Sequence, residues 1–317
     1  EVLKQSILTL FGEDAQINTS TLENRLCEIT EAYFDNGQLS GALKTILNQA
    51  NPNFSGDTSP LPVTRARYPV DEDYINAMTA TISAMDNSCL CIQGPPGAGK
   101  TYTATHVIAE LVKVGKRIGI LSNSHAAIMN LLEGLPSVLP DANLVKVAGY
   151  GPIKEFRKLF PEEEHPNLNY RSSMSFTQKA PYQQYDVIGA TVYAFAKQIA
   201  YDDPVDYLFV DEASQVALAN LIVVTGAANN IILMGDQMQL EQPIQGTHPE
   251  PAGKSALEFM LKGQSVIPSD QGVFLERTFR MHPNVCKPLS EIVYEGKLQA
   301  DKQTKKQSIN ISSPMLV

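Results

Sequence analysis

The segment Gly94-Pro95-Pro96-Gly97-Ala98-Gly99-Lys100-Thr101 constrains the fold of this chain more than any other stretch. It fits G-x-x-x-x-G-K-[ST], a turn whose glycines let backbone N–H groups approach phosphates while the helix that follows presents its positive end. Such a turn belongs between a buried strand and a helix, and both are readable on its flanks. Ser88-Cys89-Leu90-Cys91-Ile92 is a short apolar run ahead of it, and Thr101 to Val114 carries Val107, Ile108, Leu111 and Val114 at the spacing of a helix face. Lys100 is therefore expected to reach the β- and γ-phosphates of ATP, and the Thr101 hydroxyl to ligate Mg²⁺.

From Ser88 to Gly235 apolar strand candidates alternate with helical patterns. They are Cys89 to Ile92, Ile118 to Leu121, Leu144 to Val147, Val187 to Ala190, Tyr207 to Val210 and Ile231 to Met234. That alternation predicts an α/β fold, a mostly parallel sheet covered by helices on both faces. Residues 150 to 185 break the rhythm with Pro152, Pro161, Pro166 and Pro181, an acidic Glu162-Glu163-Glu164 run and basic Lys154, Arg157, Lys158 and Arg171. They read as an insertion with short helices, their charges as solvated surface or, alternatively, as a nucleic-acid contact. Ahead of this core, Leu22, Leu26, Ile29, Ala32 and Tyr33, then Leu43, Ile46 and Leu47, recur at helical spacing and read as amphipathic helices packed on the next unit, the alternative being an exposed partner site. Asn51 to Pro62 is a linker by composition.

Charge and cysteine usage narrow the function classes. A formal net charge of −9 argues against gripping nucleic acid by bulk electrostatics alone, so any such partner needs a locally basic groove. The four cysteines, Cys27, Cys89, Cys91 and Cys286, are too scattered for a zinc site, and Cys89 and Cys91 read as one face of a buried strand. No apolar run approaches the roughly 20 residues that span a bilayer, and no basic segment followed by an apolar stretch opens the sequence. A cytoplasmic location without a membrane is the expectation. The chain opens at Glu1 without methionine and closes on a strand-like Ser313-Pro314-Met315-Leu316-Val317, so both ends read as cuts through a longer protein.

Three further motifs follow the phosphate loop. Asp211-Glu212 ends the apolar run Tyr207-Leu208-Phe209-Val210, which places both carboxylates at the C-terminal end of a buried strand, where open α/β sheets bind ligands. Asp211 is expected to hold the metal, largely through its water shell, and Glu212 to orient and deprotonate the attacking water. Gly235-Asp236-Gln237-Met238-Gln239 follows Ile231 to Met234, and an amide just past a core strand can sense a γ-phosphate. Gln239 is the candidate sensor. Arg280, in Arg280-Met281-His282-Pro283, supplies a charge suited to a phosphoryl transition state.

In this order the motifs resemble superfamily 1 helicases, in the 5′-to-3′ branch that includes the eukaryotic nonsense-mediated-decay helicase. Asp211-Glu212-Ala213-Ser214-Gln215, Gly235 to Leu240 and Arg280 to Pro283 followed by Tyr294-Glu295-Gly296-Lys297-Leu298 carry the likeness. Ser122-Asn123-Ser124-His125-Ala126-Ala127-Ile128 and Gln245-Gly246-Thr247-His248-Pro249-Glu250 look closer to bacterial proteins that fuse a RecB-like nuclease to such a helicase. The resemblance covers residues 70 to 300 and implies a RecA-like P-loop ATPase using ATP and Mg²⁺ to move on single-stranded DNA or RNA, with a nuclease domain elsewhere in the full-length protein. It implies that Gly94 to Thr101 bind nucleotide, that Thr101 and Asp211 bind metal, and that Lys100, Glu212, Gln239 and Arg280 serve hydrolysis. By the same resemblance Ser124, His125 and Thr191 touch the nucleic-acid backbone. His125 stands where the branch usually has Asn, and Tyr74 stands where the family places an adenine-reading glutamine. Tyr74 could stack on the base or pack as a surface tyrosine.

The expected organisation is a helical segment and linker over 1–62, a RecA-like domain over 63–270 with its insertion at 150–185, and the start of a second such domain over 271–317. A portion of this kind is expected to bind nucleotide and, lacking the second domain's contribution, to hydrolyse it slowly. The reading from another class is a nucleotide-dependent binding module without translocation, which the acidic net charge favours.

Overall fold

A computed structural model describes residues 18–37, 39, 41–56, 59–173, 182–239 and 251–307 of the chain. Helices α1 (Ser20–Asn36), α2 (Gly41–Leu47) and α3 (Asp71–Ser83) come first, with α1 ended by Gly37 at φ 66°, whose N–H bonds the Tyr33 carbonyl. The core then runs β1 (Cys89–Gln93), α4 (Lys100–Lys113), β2 (Ile118–Leu121), α5 (His125–Gly134), β3 (Leu144–Ala148), α6 (Tyr150–Leu159) and β4 (Leu168–Ser172). It continues with β5 (Val187–Ala190), α7 (Val192–Phe195), α8 (Gln198–Asp202), β6 (Val205–Val210), α9 (Leu218–Ile222) and β7 (Ala228–Gly235). The last elements are α10 (Ala256–Leu261), β8 (Gly272–Phe274), β9 (Arg277–Thr278), α11 (Pro283–Val293) and β10 (Gln299–Ala300).

Eight strands form one sheet in the order β4-β3-β5-β2-β6-β7-β1-β8, every neighbouring pair parallel. Because side chains alternate across a strand, the sheet has two apolar faces. Cys89, Cys91, Leu208, Val210, Ile231 and Leu233 face one core, and Leu90, Ile92, Tyr207, Phe209, Ile232 and Met234 face the other. The first face is covered by α2 and α7 to α11, the second by α3 to α6. The paired cysteines are thus a buried stripe on one face, and the α/β expectation of helices on both sides holds.

Three boundaries differ from the sequence reading. Residues 150–173 continue the strand and helix rhythm, because α6 leads into β4, which pairs with β3 from Leu144↔Leu168 to Ala148↔Ser172 and ends the sheet. The sheet also runs past residue 270, since β8 pairs with β1 from Cys91↔Gly272 to Gln93↔Phe274. At the N-terminal segment, α2 buries Ala42 and Ile46 against the core as expected, whereas the α1 stripe is engaged only at its start. Leu22 is buried, Leu26 and Ile29 are half-buried, and Ala32 and Tyr33 are exposed. Residues 245–250 and 313–317, which carried part of the sequence argument, lie outside the described residues.

Parallel pairing sends every strand's C-terminal end to the same edge. Gly94 follows β1, Ser122 follows β2, Thr191 follows β5, Asp211 follows β6 and Asp236 follows β7. One edge of this sheet therefore presents these five loops, while Arg280 follows β9, which pairs with β10 in a separate two-stranded sheet.

Candidate functional site

The phosphate loop leaves β1 and enters α4 through Gly97 at φ 71° and Gly99 at φ 81°, left-handed values that favour glycine. Gly99 is the N-cap of α4, and Thr103 N donates to its carbonyl as the first helical bond. The N–H groups of Lys100, Thr101 and Tyr102 precede that bond, so none has an intrahelical acceptor and all are available to an anion. A β-carbon at Gly97 would come within 2.3 Å of the Arg280 β-carbon, and one at Gly94 within 2.3 Å of Lys100 Cγ. Glycine is needed at both positions so that the loop can close on its neighbours.

A cleft of about 720 Å³ opens over this loop. Pro96 to Thr103 form its floor, and Glu212, Gln239, Phe279 and Arg280 stand around it, with Arg65 and Asp71 at its rim. The structure thus brings Lys100, Thr101, Glu212, Gln239 and Arg280, which lie far apart in sequence, to one cavity. Gly94 and Pro95 sit behind the floor, and the Gly94 carbonyl accepts from Lys100 Nζ at 2.6 Å. Burial lowers the Lys100 pKa from its ordinary value, while Asp236, Asp211 and Glu212 act in the opposite sense. Its charge is held among three carboxylates.

Asp211, 7% exposed, lies behind Glu212. Burial pushes its carboxyl up to about 6, the bond from Glu212 N to Asp211 Oδ1 at 2.9 Å opposes the shift, and the neighbouring Glu212 charge adds to it. One carboxylate and the exposed Thr101 hydroxyl form the donor set Mg²⁺ takes when substrate phosphates and water complete its shell. Together with the glycine cradle and the free N–H groups, these residues fit a nucleotide polyphosphate and its metal. Among the described residues no group of three or more His, Cys, Asp or Glu side chains is placed to hold a metal by itself.

Glu212 adopts φ 56° and ψ 42°, left-handed for a non-glycine residue. Its carboxylate accepts from Gln215 Nε2 at 3.0 Å, and its carbonyl from Gln215 N at 2.7 Å. Gln239 Nε2 donates to Asp236 Oδ2 at 3.1 Å, the carboxylate that also accepts from Tyr294 Oη at 2.6 Å. Asp236 is 1% exposed and ties the loop bearing Gln239 to the end of α11, while Gln93 fixes the adjoining chain by accepting from Ile267 N and donating to the Ser265 carbonyl. The segment bearing Arg280 is clasped to the phosphate loop. Thr278 Oγ1 donates to the Pro96 carbonyl, and Phe279 N to the Gly97 carbonyl, both at 2.9 Å.

Tyr74 departs from the sequence reading of a stacking partner or a surface residue. It is 1% exposed, and the Arg65 guanidinium lies over its ring at 4.0 Å. The ring has no face left for a base, and Arg65, ion-paired with Asp71, takes its place on the cavity wall. Sequence reasoning missed Arg65, Asp71, Tyr102, Phe279 and the anchoring role of Asp236. Phe279 and Asp236 adjoin motif residues that were singled out, while Arg65 and Asp71 carry no local signal.

On the same edge, Ser124 is the exposed N-cap of α5, its Oγ accepting from Ala127 N at 3.3 Å. Thr191 is the half-buried N-cap of α7 and makes no side-chain cap bond. Their strands are neighbours, with Leu121 paired to Ala190. His125 behaves differently, because its ring leans on Phe156 at 6.2 Å and its Nδ1 is enclosed without a partner. Burial and then the Lys146 charge push its pKa down to about 4, so it is a neutral packing group between α5 and α6 near pH 7.

The AAA domain family matches residues 77–244, just over half of the chain, which includes the phosphate loop, Asp211, Glu212 and Gln239. This chain belongs to the AAA domain family. Its relatives include proteins named as helicases. One is the "DNA polymerase alpha-associated DNA helicase A" of Schizosaccharomyces pombe, 25% identical over 68% of this chain and 38% of its own length. Another is the "DNA replication ATP-dependent helicase/nuclease dna2" of the same organism, 26% identical over 74% of this chain and 16% of that protein. A third is the "ATP-dependent helicase NAM7" of Saccharomyces cerevisiae, 28% identical over 66% of this chain and 24% of that protein. The chain spans well under half the length of each of these relatives. Among its described residues no helix is long and apolar enough to cross a membrane.

Proposed function

We propose that this AAA domain is the ATP-binding motor half of a superfamily 1 helicase, which couples hydrolysis to translocation on single-stranded nucleic acid. The observation that carries the reading is that the nucleotide cleft and the Ser124 and Thr191 loops share the C-terminal edge of one parallel sheet, so a strand lying across that edge would lie beside the cleft. Mg²⁺, held by Thr101 and Asp211, would neutralise phosphate charge. Lys100 and the first-turn N–H groups of α4 bind the β- and γ-phosphates, and Glu212 takes the proton of the attacking water at its carboxylate. Gln239 and Arg280 contact the γ-phosphate and register its loss. Ser124 and Thr191 bond strand phosphates without reading sequence.

The second RecA-like domain, a nuclease domain in the same full-length protein, kinship with the bacterial RecB-like fusions, 5′-to-3′ polarity and a cytoplasmic location belong to this proposal. So does slow hydrolysis by the present residues alone. The test is the ATPase rate of the full-length protein with and without single-stranded DNA or RNA, with Lys100→Ala as the blank. Stimulation by one polymer is expected and names the substrate. A rate indifferent to both would overturn the motor and favour a nucleotide-switched binding module.

A further inference from the structure

The loops after β2 and β6 leave the sheet side by side, because Leu121 pairs with Val210 at the ends of these strands. The β2 loop presents Ser124, and the β6 loop presents Glu212. Between them runs a chain of hydrogen bonds. Asn123 Nδ2 donates to the Gln215 carbonyl at 2.6 Å, and Gln215 Nε2 donates to Glu212 Oε2 at 3.0 Å. Asn123 is half-buried, flanked by fully buried Ser122 and exposed Ser124, and Ser124 N bonds Ser122 Oγ at 3.2 Å. Ser124 and Asn123 are adjacent in the chain, so a displacement of Ser124 would bear on the Asn123 amide.

The receiving end is conformationally poised. A non-glycine residue in the left-handed region costs about 1–2 kcal/mol, so the Glu212 backbone stays at φ 56° only because its bonds to Asp211 and Gln215 hold it. A switch between this left-handed turn and a relaxed one would supply the two arrangements that coupling between sites requires. With the Gln215 carbonyl held, Gln215 stays folded over Glu212 and fixes its carboxylate. With it released, the turn can relax.

We propose that Asn123 is a positioning residue that reports strand occupancy at Ser124 to the catalytic carboxylate of Glu212 through Gln215. The inference rests on the motor reading above and adds the route by which nucleic acid accelerates hydrolysis. Asn123 touches neither nucleotide nor strand in this scheme. Its removal should leave both binding events in place and break the link between them.

The experiment measures steady-state ATPase of the full-length wild type, Asn123→Ala and Asn123→Asp, each without polymer and with saturating oligo-dT or oligo-U, alongside oligonucleotide affinity by anisotropy. The Asp variant keeps the size of the side chain and removes the N–H donor, so the test stands if the Ala variant does not fold. Expected are basal rates and affinities within about twofold of wild type, and stimulated rates lowered about tenfold, inside the ~5–150-fold range of ordinary coupling. Variants stimulated as strongly as a stimulated wild type would sink the relay alone. Basal and stimulated rates falling in equal proportion would also sink it, since that marks a merely structural role. A wild type indifferent to both polymers would remove the motor reading and the relay with it.

Discussion

Glu212 is held in a backbone conformation it would not choose, at the mouth of a cleft whose floor presents the unpaired first-turn N–H groups of α4. If it is the base, Glu212→Gln keeps the size and the bond from Gln215 but cannot take a proton. Turnover should fall about 10²- to 10⁴-fold with nucleotide affinity unchanged, read from steady-state ATPase and titration of a fluorescent nucleotide, and full turnover would remove Glu212 from that role. A second residue is set apart by burial rather than strain. Lys146 is fully buried on β3, its Nζ has no partner, and burial lowers its pKa from 10.5 to about 7. Because the folded value is the lower one, the unfolded chain holds the extra proton between about pH 7 and 10.5, so this group makes stability rise with pH across that window. The charged amine costs on the order of 5 kcal/mol below it. Lys146→Met should raise the melting temperature most near pH 7, with the gain shrinking toward pH 10 in circular-dichroism melts, and a gain independent of pH would refute the assignment. Residues such as Lys100 and Thr101 were legible because eight contiguous positions fix their geometry. Arg65 and the burial of Tyr74 were not, because one ring packing under one guanidinium depends on a tertiary contact that spacing does not encode.

The phosphate loop and the β9 segment act as one unit at the scale of elements. Thr278 and Phe279 bond the carbonyls of Pro96 and Gly97, and the Arg280 β-carbon fills the space that a side chain at 97 would need. Gly97→Ala therefore meets two obstacles, a left-handed φ of 71° costing about 1–2 kcal/mol and a 2.3 Å approach to Arg280. Nucleotide affinity should drop at least about tenfold, because relief of the clash moves either the loop or Arg280 out of the cleft. Unchanged affinity by calorimetry would show that the clasp can open without cost. The strands flanking this unit were readable where they are apolar on both faces, as in β1, β2, β5, β6 and β7. β4 escaped notice because Leu168-Asn169-Tyr170-Arg171-Ser172 is an edge strand with only two buried side chains, and β8 because three residues are too few to establish a period.

For the whole molecule the question is how a chain with a net charge of −9 would hold the proposed polyanion. The sequence could show that the loops bearing Lys100, Ser124, Thr191, Glu212 and Gln239 follow strands, and parallel pairing then places them on one edge, so the location of the proposed strand path was legible in outline. Its electrostatics were not, because they depend on which cations the fold leaves beside that edge. Ser124 and Thr191 are neutral, and the exposed basic residues on the neighbouring α6 and β4 are Lys154, Arg157, Lys158 and Arg171. Of these, Arg157 is committed to Glu162 at 3.2 Å. A single strand crossing this edge would thus meet hydroxyls first and, on α6 and β4, about two or three cations with no ion-pair partner among the described residues, and each phosphate neutralised contributes about −0.7 to the slope of log K against log salt. A shallow slope of about −1.5 to −2 is expected for these residues with single-stranded DNA or RNA, measured by anisotropy from low to moderate salt. A slope several times steeper would mean that the strand is gripped by a cationic surface other than this edge, and the path over Ser124 and Thr191 would have to be abandoned.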